Sequence, residues 1–155
     1  MQFTFAQESD FDALIALRIE AMHESLERIG RFDPVRAHER FRAGFSPEHT
    51  RHIEVAGERV GFFVVVPDGQ RGLLLEHLYL QPKAQGSGVG TKVLQHLFAM
   101  ADAQGLALRV GALRESDSNR FYQRHGFILV ERGEFDNYYV RAARQPLTST
   151  ASKAL

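Results

Sequence analysis

Apolar residues recur along this chain with a period of two in some stretches and of about 3.6 in others, and each change of period marks a new element. Phe3 and Phe5 alternate with polar neighbours, which predicts a short first strand. Phe11, Leu14, Ile15, Ile19 and Met22 then share one helical face. Ser9 and Asp12 are spaced as a capping box for that helix, and Gly30 is its expected stop. Asp33-Pro34 places a capping carboxylate before a proline whose missing N–H costs nothing, so a second helix is expected to about residue 42. Strands are expected at 51–56 and 59–66 around a tight turn at Ala56-Gly57-Glu58. Pro67-Asp68-Gly69-Gln70 is a second turn, and 71–80 a long strand ended by Pro82. Val89, Val93, Leu97, Met100 and Ala101 define a helix over 89–104 that Gly105 caps. A strand at 106–113, a short helix at 118–125 stopped by Gly126, and strands at 127–130 and 135–141 complete the pattern. The order is β-α-α-β-β-β-α-β-α-β-β, without internal repeat or second domain. Residues 1–145 read as one domain and the Pro/Ser/Thr/Lys-rich segment 146–155 as a flexible tail.

Composition narrows the possible functions. A chain of 155 residues fits one domain that buries roughly 68–70% of its unfolded surface. With 19 basic and 19 acidic side chains, no net field attracts a polyanion, which argues against nucleic acid and against a polybasic membrane contact. The absence of cysteine excludes disulfides, thiolate metal sites and cysteine nucleophiles. Apolar runs such as 62–66 fall far short of the roughly 20 residues of a membrane span. The first residues lack the basic start and apolar stretch of a signal peptide, so a cytoplasmic location is expected.

The most informative stretch is Gln85-Gly86-Ser87-Gly88-Val89-Gly90-Thr91, between a strand and a helix. Glycines let a backbone approach a ligand closely, and the free N–H groups and dipole of a helix start favour an anion. A tight turn that binds nothing is the plain alternative. The spacing fits neither the dinucleotide fingerprint nor a P-loop. It resembles the Q/R-x-x-G-x-G/A motif with which GNAT (Gcn5-related N-acetyltransferase) enzymes hold the pyrophosphate of coenzyme A. A second segment, Arg120-Phe121-Tyr122-Gln123-Arg124-His125-Gly126-Phe127, is similar to that family's FY-x-x-x-GF signature. The two stand in the family's order, and the resemblance spans residues 3–141.

The resemblance implies a single α/β domain with a mixed, mostly antiparallel sheet, helices on both faces and a splayed cofactor cleft. It implies acetyl-CoA as co-substrate, held by the backbone of Leu78 and Leu80 and by Gln85, Gly86, Ser87, Gly88, Val89, Gly90 and Thr91. Where many members carry an Asn and an Ala upstream of the signature tyrosine, this chain has Glu115 and Ser118. Asn119 close by is then the residue expected to reach the cofactor. Tyr122 corresponds to the tyrosine that protonates the departing thiolate in many relatives, against a plain packing role.

Amine acetylation needs a neutral nitrogen and therefore a proton acceptor. Strand alternation puts Glu76 on the face of Leu78, where relatives carry a Glu or His base, against the plain reading of a solvated strand residue or an arginine's partner; His77, on the other face, and water are the other candidates for the base. The acceptor side is expected from about residue 18 to 45 and around Tyr138, with His23 as a substrate residue. Arg18, Glu24, Glu27, Arg28, Arg31 and Asp33 mix both signs there and state no preference. His49 and His52 have a spacing a metal could use but no third ligand nearby, so no metal is expected. The expected reaction is acetyl transfer from acetyl-CoA to a primary amine of a small molecule or peptide. A catalytically silent coenzyme A sensor and a longer-chain acyltransferase are the alternatives, and a homodimer is left open.

Overall fold

In the computed structural model, which describes residues 1–28, 33–69 and 72–144 (only the backbone at 23–28), seven strands alternate with four helices. They are β1 (Gln2–Phe5), α1 (Phe11–Arg28), α2 (Pro34–Gly44), β2 (Thr50–Val55), β3 (Glu58–Asp68), β4 (Gly72–Leu80), α3 (Val89–Gln104), β5 (Ala107–Leu113), α4 (Ser118–Arg124), β6 (Ile128–Arg132) and β7 (Asp136–Arg141). The expected helix stop at Gly30, the turn residues Gln70 and Arg71, and the tail at 146–155 lie outside the described residues.

The strands form one open sheet in the order β1-β2-β3-β4-β5-β7-β6, antiparallel throughout except for the parallel β4–β5 pair. Apolar side chains alternate across it, so both faces need cover. One face packs on α3 and α4 around Leu75, Leu94, Leu97, Leu108 and Tyr139. The other packs on α1 and α2 around Phe11, Leu14, Phe41 and Phe62. The fold is therefore the mixed α/β domain with helices on both faces that the sequence implied.

Local signals hold at most boundaries. The Asp33 carboxylate accepts from the Arg36 N–H at 3.1 Å, with Pro34 opening α2. The β2–β3 turn sets Ala56 and Gly57 at φ of 52° and 79°, the left-handed pair whose twist matches a hairpin. The start of α1 differs from expectation. The Gln7 N–H donates to Asp10 Oδ2 at 2.8 Å over a 3-10 turn at Glu8–Asp10, and Ser9 and Asp12 form no capping box. Asp10 wins because it also binds buried His52 (3.0 Å) and Arg59 (3.3 Å), partners that sequence distance hides. At the far end, buried Arg141 lies over the Phe98 ring and forms a two-pronged pair with Asp102 at 2.9 and 3.1 Å.

Two irregularities in β4 shape the cleft and the chamber beside it. The pairing of β4 with β5 runs from Gly72↔Ala107 to Leu75↔Val110 and stops, although β4 continues to Leu80 and β5 to Leu113. The sheet is thus open between them beyond Leu75. On the other edge of β4, His77 pairs with Val64 and Leu75 with Val65, which leaves Glu76 as the extra residue of a β-bulge.

Candidate active site

The glycine turn joins the open end of β4 to α3. Gly86 and Gly88 take φ of 73° and 84°, and a Cβ at either would meet nothing within 4 Å. Both therefore face open space with backbone that other residues adopt only under strain. The first helical bond of α3 runs from the Lys92 N–H to the Gly88 carbonyl. The N–H groups of Val89, Gly90 and Thr91 consequently have no acceptor in the helix. Here the N-terminal dipole of a helix coincides with donors left without a helical acceptor, a fit for a pyrophosphate.

Side chains of the turn mostly serve the turn itself. Gln85 Nε2 donates to the Leu80 carbonyl at 3.0 Å, and Ser87 Oγ donates to the Ala84 carbonyl. Val89 is buried in the α3-side core, so only its backbone faces outward. Gly90 has a packing role: a Cβ there would lie 3.0 Å from Phe121 Cζ. Its missing side chain lets α3 approach α4. Thr91 bonds His125 Nε2 at 3.0 Å, while His125 Nδ1 lies 2.8 Å from the Phe121 carbonyl. A carbonyl only accepts, so Nδ1 carries a proton and donates to Phe121. That tie between the two signature segments was not visible in the sequence.

Leu78 and Leu80 pack toward the α3-side core while residues 76–80 have no strand beside them on the β5 edge. This free edge is a template for an extended ligand arm. Tyr122 stands on α4, its ring held among Phe121, Phe127 and Tyr139 in the α3-side core. It is 6% exposed. Burial raises its phenol above the ordinary range, and the Tyr79 phenol adds to the rise. These tyrosines belong to opposite faces of the sheet, and they sense each other where β4 and β5 part.

The bulge corrects the facing of Glu76. In a regular strand it would share a face with Leu78; instead it lines a cavity of about 200 Å³ on the α1–α2 side, together with His77, Arg18, Arg40, Phe41 and Phe45. Its Oε1 lies 3.8 Å from where a Gly44 Cβ would stand. His77, expected on the face away from Glu76, shares that cavity. Its Nδ1 lies 3.2 Å from the Tyr79 hydroxyl, and its ring packs on Phe41 at 5.3 Å. Burial, with Arg18 nearby, lowers its pKa to about 3, so the imidazole is neutral at physiological pH.

Other expected site residues fall elsewhere. Asn119 has no capacity left for a cofactor. Its Nδ2 donates to the Leu113 and Ser116 carbonyls at 2.7 and 2.8 Å, and its Oδ1 accepts from Asn137 Nδ2 and the Tyr139 hydroxyl at 3.0 and 2.8 Å. Asn119 thus ties the start of α4 to β5 and β7. Tyr138 is 41% exposed on the α1–α2 face of β7, across Gly111 and Gly133, and does not line the cavity. The His23 side chain lies outside the described residues. His49 bonds Ser46 Oγ at 2.8 Å and His52 pairs with Asp10. Among the described residues no three His, Cys, Asp or Glu side chains converge as metal ligands, and no helix is long and apolar enough to cross a membrane.

Arg18 was read in the sequence only as one of a mixed set of charges on the acceptor side, although a signal for more was present. It follows Leu14 and Ile15 on the buried stripe of α1, where a charge interrupts an apolar face.

An open β4–β5 wedge thus runs into a glycine turn at the start of a helix. The family model described as "Acetyltransferase (GNAT) domain" matches residues 48–129, and the chain belongs to that family. The fold is shared with the PaiA N-acetyltransferase from Thermoplasma acidophilum solved with coenzyme A, at 16% identity, TM-score 0.73, over 91% of this chain and 98% of that one. An acetyltransferase from Thermus thermophilus is similar at 17% identity and TM-score 0.71, over 91% and 96%. A GNAT family acetyltransferase from Elizabethkingia anophelis with acetyl-CoA bound matches over 60% of this chain and 74% of its own, at 16% identity and TM-score 0.54. A sequence comparison with curated proteins finds no match.

Proposed function

We propose that this protein transfers the acetyl group of acetyl-CoA to a primary amine of a small molecule or peptide by direct attack. The observation that carries this reading is the free edge of β4 at 76–80, which leads into the Gly86–Gly88 turn and the unpaired N–H groups at the start of α3. Those N–H groups would hold the pyrophosphate, and the β4 edge the pantetheine arm. Acetyl-CoA, when bound, supplies an activated acetyl thioester.

The chain's own groups have distinct tasks. Glu76 accepts the proton of the acceptor ammonium at a carboxylate oxygen, directly or through water, because a protonated amine has no lone pair. His77 is a poor acceptor, since an imidazole with a pKa of about 3 holds a proton less well than an ordinary carboxylate. Tyr122 keeps its proton at neutral pH and offers a hydrogen bond to the departing sulfur. Burial makes full transfer of that proton uphill, so the phenol acts mainly as a donor. Backbone N–H groups of β4 would polarise the thioester carbonyl.

The test is acetyl-CoA binding by thermal shift, followed by thiol release over a panel of amines. A Tm increase with acetyl-CoA and thiol release that depends on an added amine are expected. NAD stabilising the protein as strongly as acetyl-CoA would refute the cofactor assignment. Binding without turnover on any amine would favour a silent sensor, and faster turnover with longer acyl-CoA a different acyl donor.

A further inference from the structure

The cavity beside Glu76 holds a cation with hydrogen-bond donors left unused. Arg18 reaches into it from α1 with its guanidinium carbon 6.0 Å from the Phe41 ring centre and 5.8 Å from that of Tyr79. Aromatic faces attract a cation but offer no conventional acceptor for its N–H groups. The guanidinium also bonds the Tyr79 phenol, which occupies part of its fork. Nε and Nη1 of Arg18 are nevertheless both buried, and among the described residues neither has a hydrogen-bond partner. Among the described residues that line the cavity, Glu76 is the carboxylate. Leaving donors of a charged group buried and unpaired is costly, and a bound anion is one way to complete them.

The surrounding charges point the same way. Among the described residues that line the cavity, Arg40 is a second guanidinium and His77 adds no charge at neutral pH, so its lining carries two cations and one carboxylate, with Asp136 also acting on the adjacent Tyr79 phenol. The volume of about 200 Å³ lies below the roughly 300–1,000 Å³ of pockets for drug-sized ligands. The space suits a small acceptor better than a folded protein segment.

We propose that the acceptor is a small amine that also carries a carboxylate, an amino acid or a close analogue, with its carboxylate on Arg18 and its amine toward Glu76. This rests on the acetyl-transfer reading and specifies its substrate. Arg18 binds the acceptor and sets its register; it takes no part in the proton transfers.

Matched amines that differ by the carboxylate test it: histidine and histamine, tyrosine and tyramine, arginine and agmatine. The wild type should use the carboxylated member of at least one pair with a higher kcat/KM. In Arg18→Gln that preference should fall by about 10- to 100-fold, the worth of a hydrogen bond to a charged group. The KM for acetyl-CoA should not change, and Arg18→Lys should keep part of the preference. Comparing the ratio between wild type and variant cancels the different basicities of the two amines. An unchanged ratio, or a wild type that prefers the decarboxylated members, overturns the proposal. If no amine is acetylated while acetyl-CoA still binds, the acetyl-transfer reading fails by itself. Calorimetric binding of the amino acids in the presence of coenzyme A then decides the anion site: binding lost in Arg18→Gln sustains it, and equal or absent binding in both proteins overturns it.

Discussion

Glu76 and His77 are neighbours in β4 and face the same side of the sheet, both lining the cavity beside α2. Adjacent residues of a regular strand face opposite sides. The bulge opposite Val64 and Val65 removes that alternation and puts a carboxylate and a neutral imidazole in one chamber. Single substitutions separate their roles.

Glu76→Gln keeps size and polarity but cannot take a proton. Its kcat/KM should fall at neutral pH by about 10²-fold or more, and the defect should shrink at high pH, where more of the amine is already neutral. His77→Gln should leave the shape of the profile unaltered, because this imidazole, with its pKa near 3, is neutral throughout the assay range. A Glu76→Gln profile that superimposes on the wild type would remove Glu76 from the reaction.

His77 should instead show itself in stability. Its pKa is lowered from 6.5 to about 3 on folding, so between those values the unfolded chain binds a proton that the folded chain does not. Stability from this group is complete above about pH 6.5 and is lost as pH falls toward 3, with a slope of up to about 1.4 kcal/mol per pH unit. Asp10 and Asp102, lowered from 3.8 by their partners His52 and Arg141, lose their contribution only at more acid pH. Urea unfolding between pH 6.5 and 4.5 should therefore be flatter for His77→Gln than for the wild type. Equal slopes would show that His77 is hydrated in the folded state.

Tyr122→Phe deletes one oxygen and leaves the packed ring. It should lower kcat and kcat/KM together, by about 10²-fold at the low end for a general acid, with acetyl-CoA affinity unchanged. The low end follows from burial, which makes this phenol reluctant to release its proton. Undiminished kcat in a variant with a normal melting curve would leave Tyr122 a packing residue.

The motif glycines should separate into two kinds. Gly88→Val introduces a side chain into open space at a φ of 84°, and it should diminish the thermal shift caused by acetyl-CoA. Gly90→Val collides with Phe121 and should lower the melting temperature without ligand. Phe121→Leu in the same chain should restore part of that loss. Equal ligand shifts in Gly88→Val and wild type would detach the turn from the cofactor.

Asn119→Ala breaks the links of α4 to β5 and β7 and leaves their polar groups unpaired. A loss of about 2–3 kcal/mol is expected by chemical denaturation, with the KM for acetyl-CoA unaltered. A selective rise in that KM would return Asn119 to the cofactor site.

Much of this protein was legible in its sequence, because the signals are local. A helix cap such as Asp33-Pro34, the turn at Ala56-Gly57 and the glycine run before Val89 act through backbone sterics and hydrogen bonds a few residues long. They gave the element order, the glycine turn and the family resemblance. Tertiary structure decided the facing of Glu76, because a bulge is a relation between two strands, and the apolar run Leu73-Leu74-Leu75 hides the change of phase to Leu78 and Leu80. It committed Asn119 to Tyr139 and Asn137, and Gly90 to Phe121, since residues distant in sequence compete for the same hydrogen bonds and the same space. It also showed Arg18 with unpaired donors, for whether a charge on a helix is solvated or buried depends on what the rest of the chain lays over it.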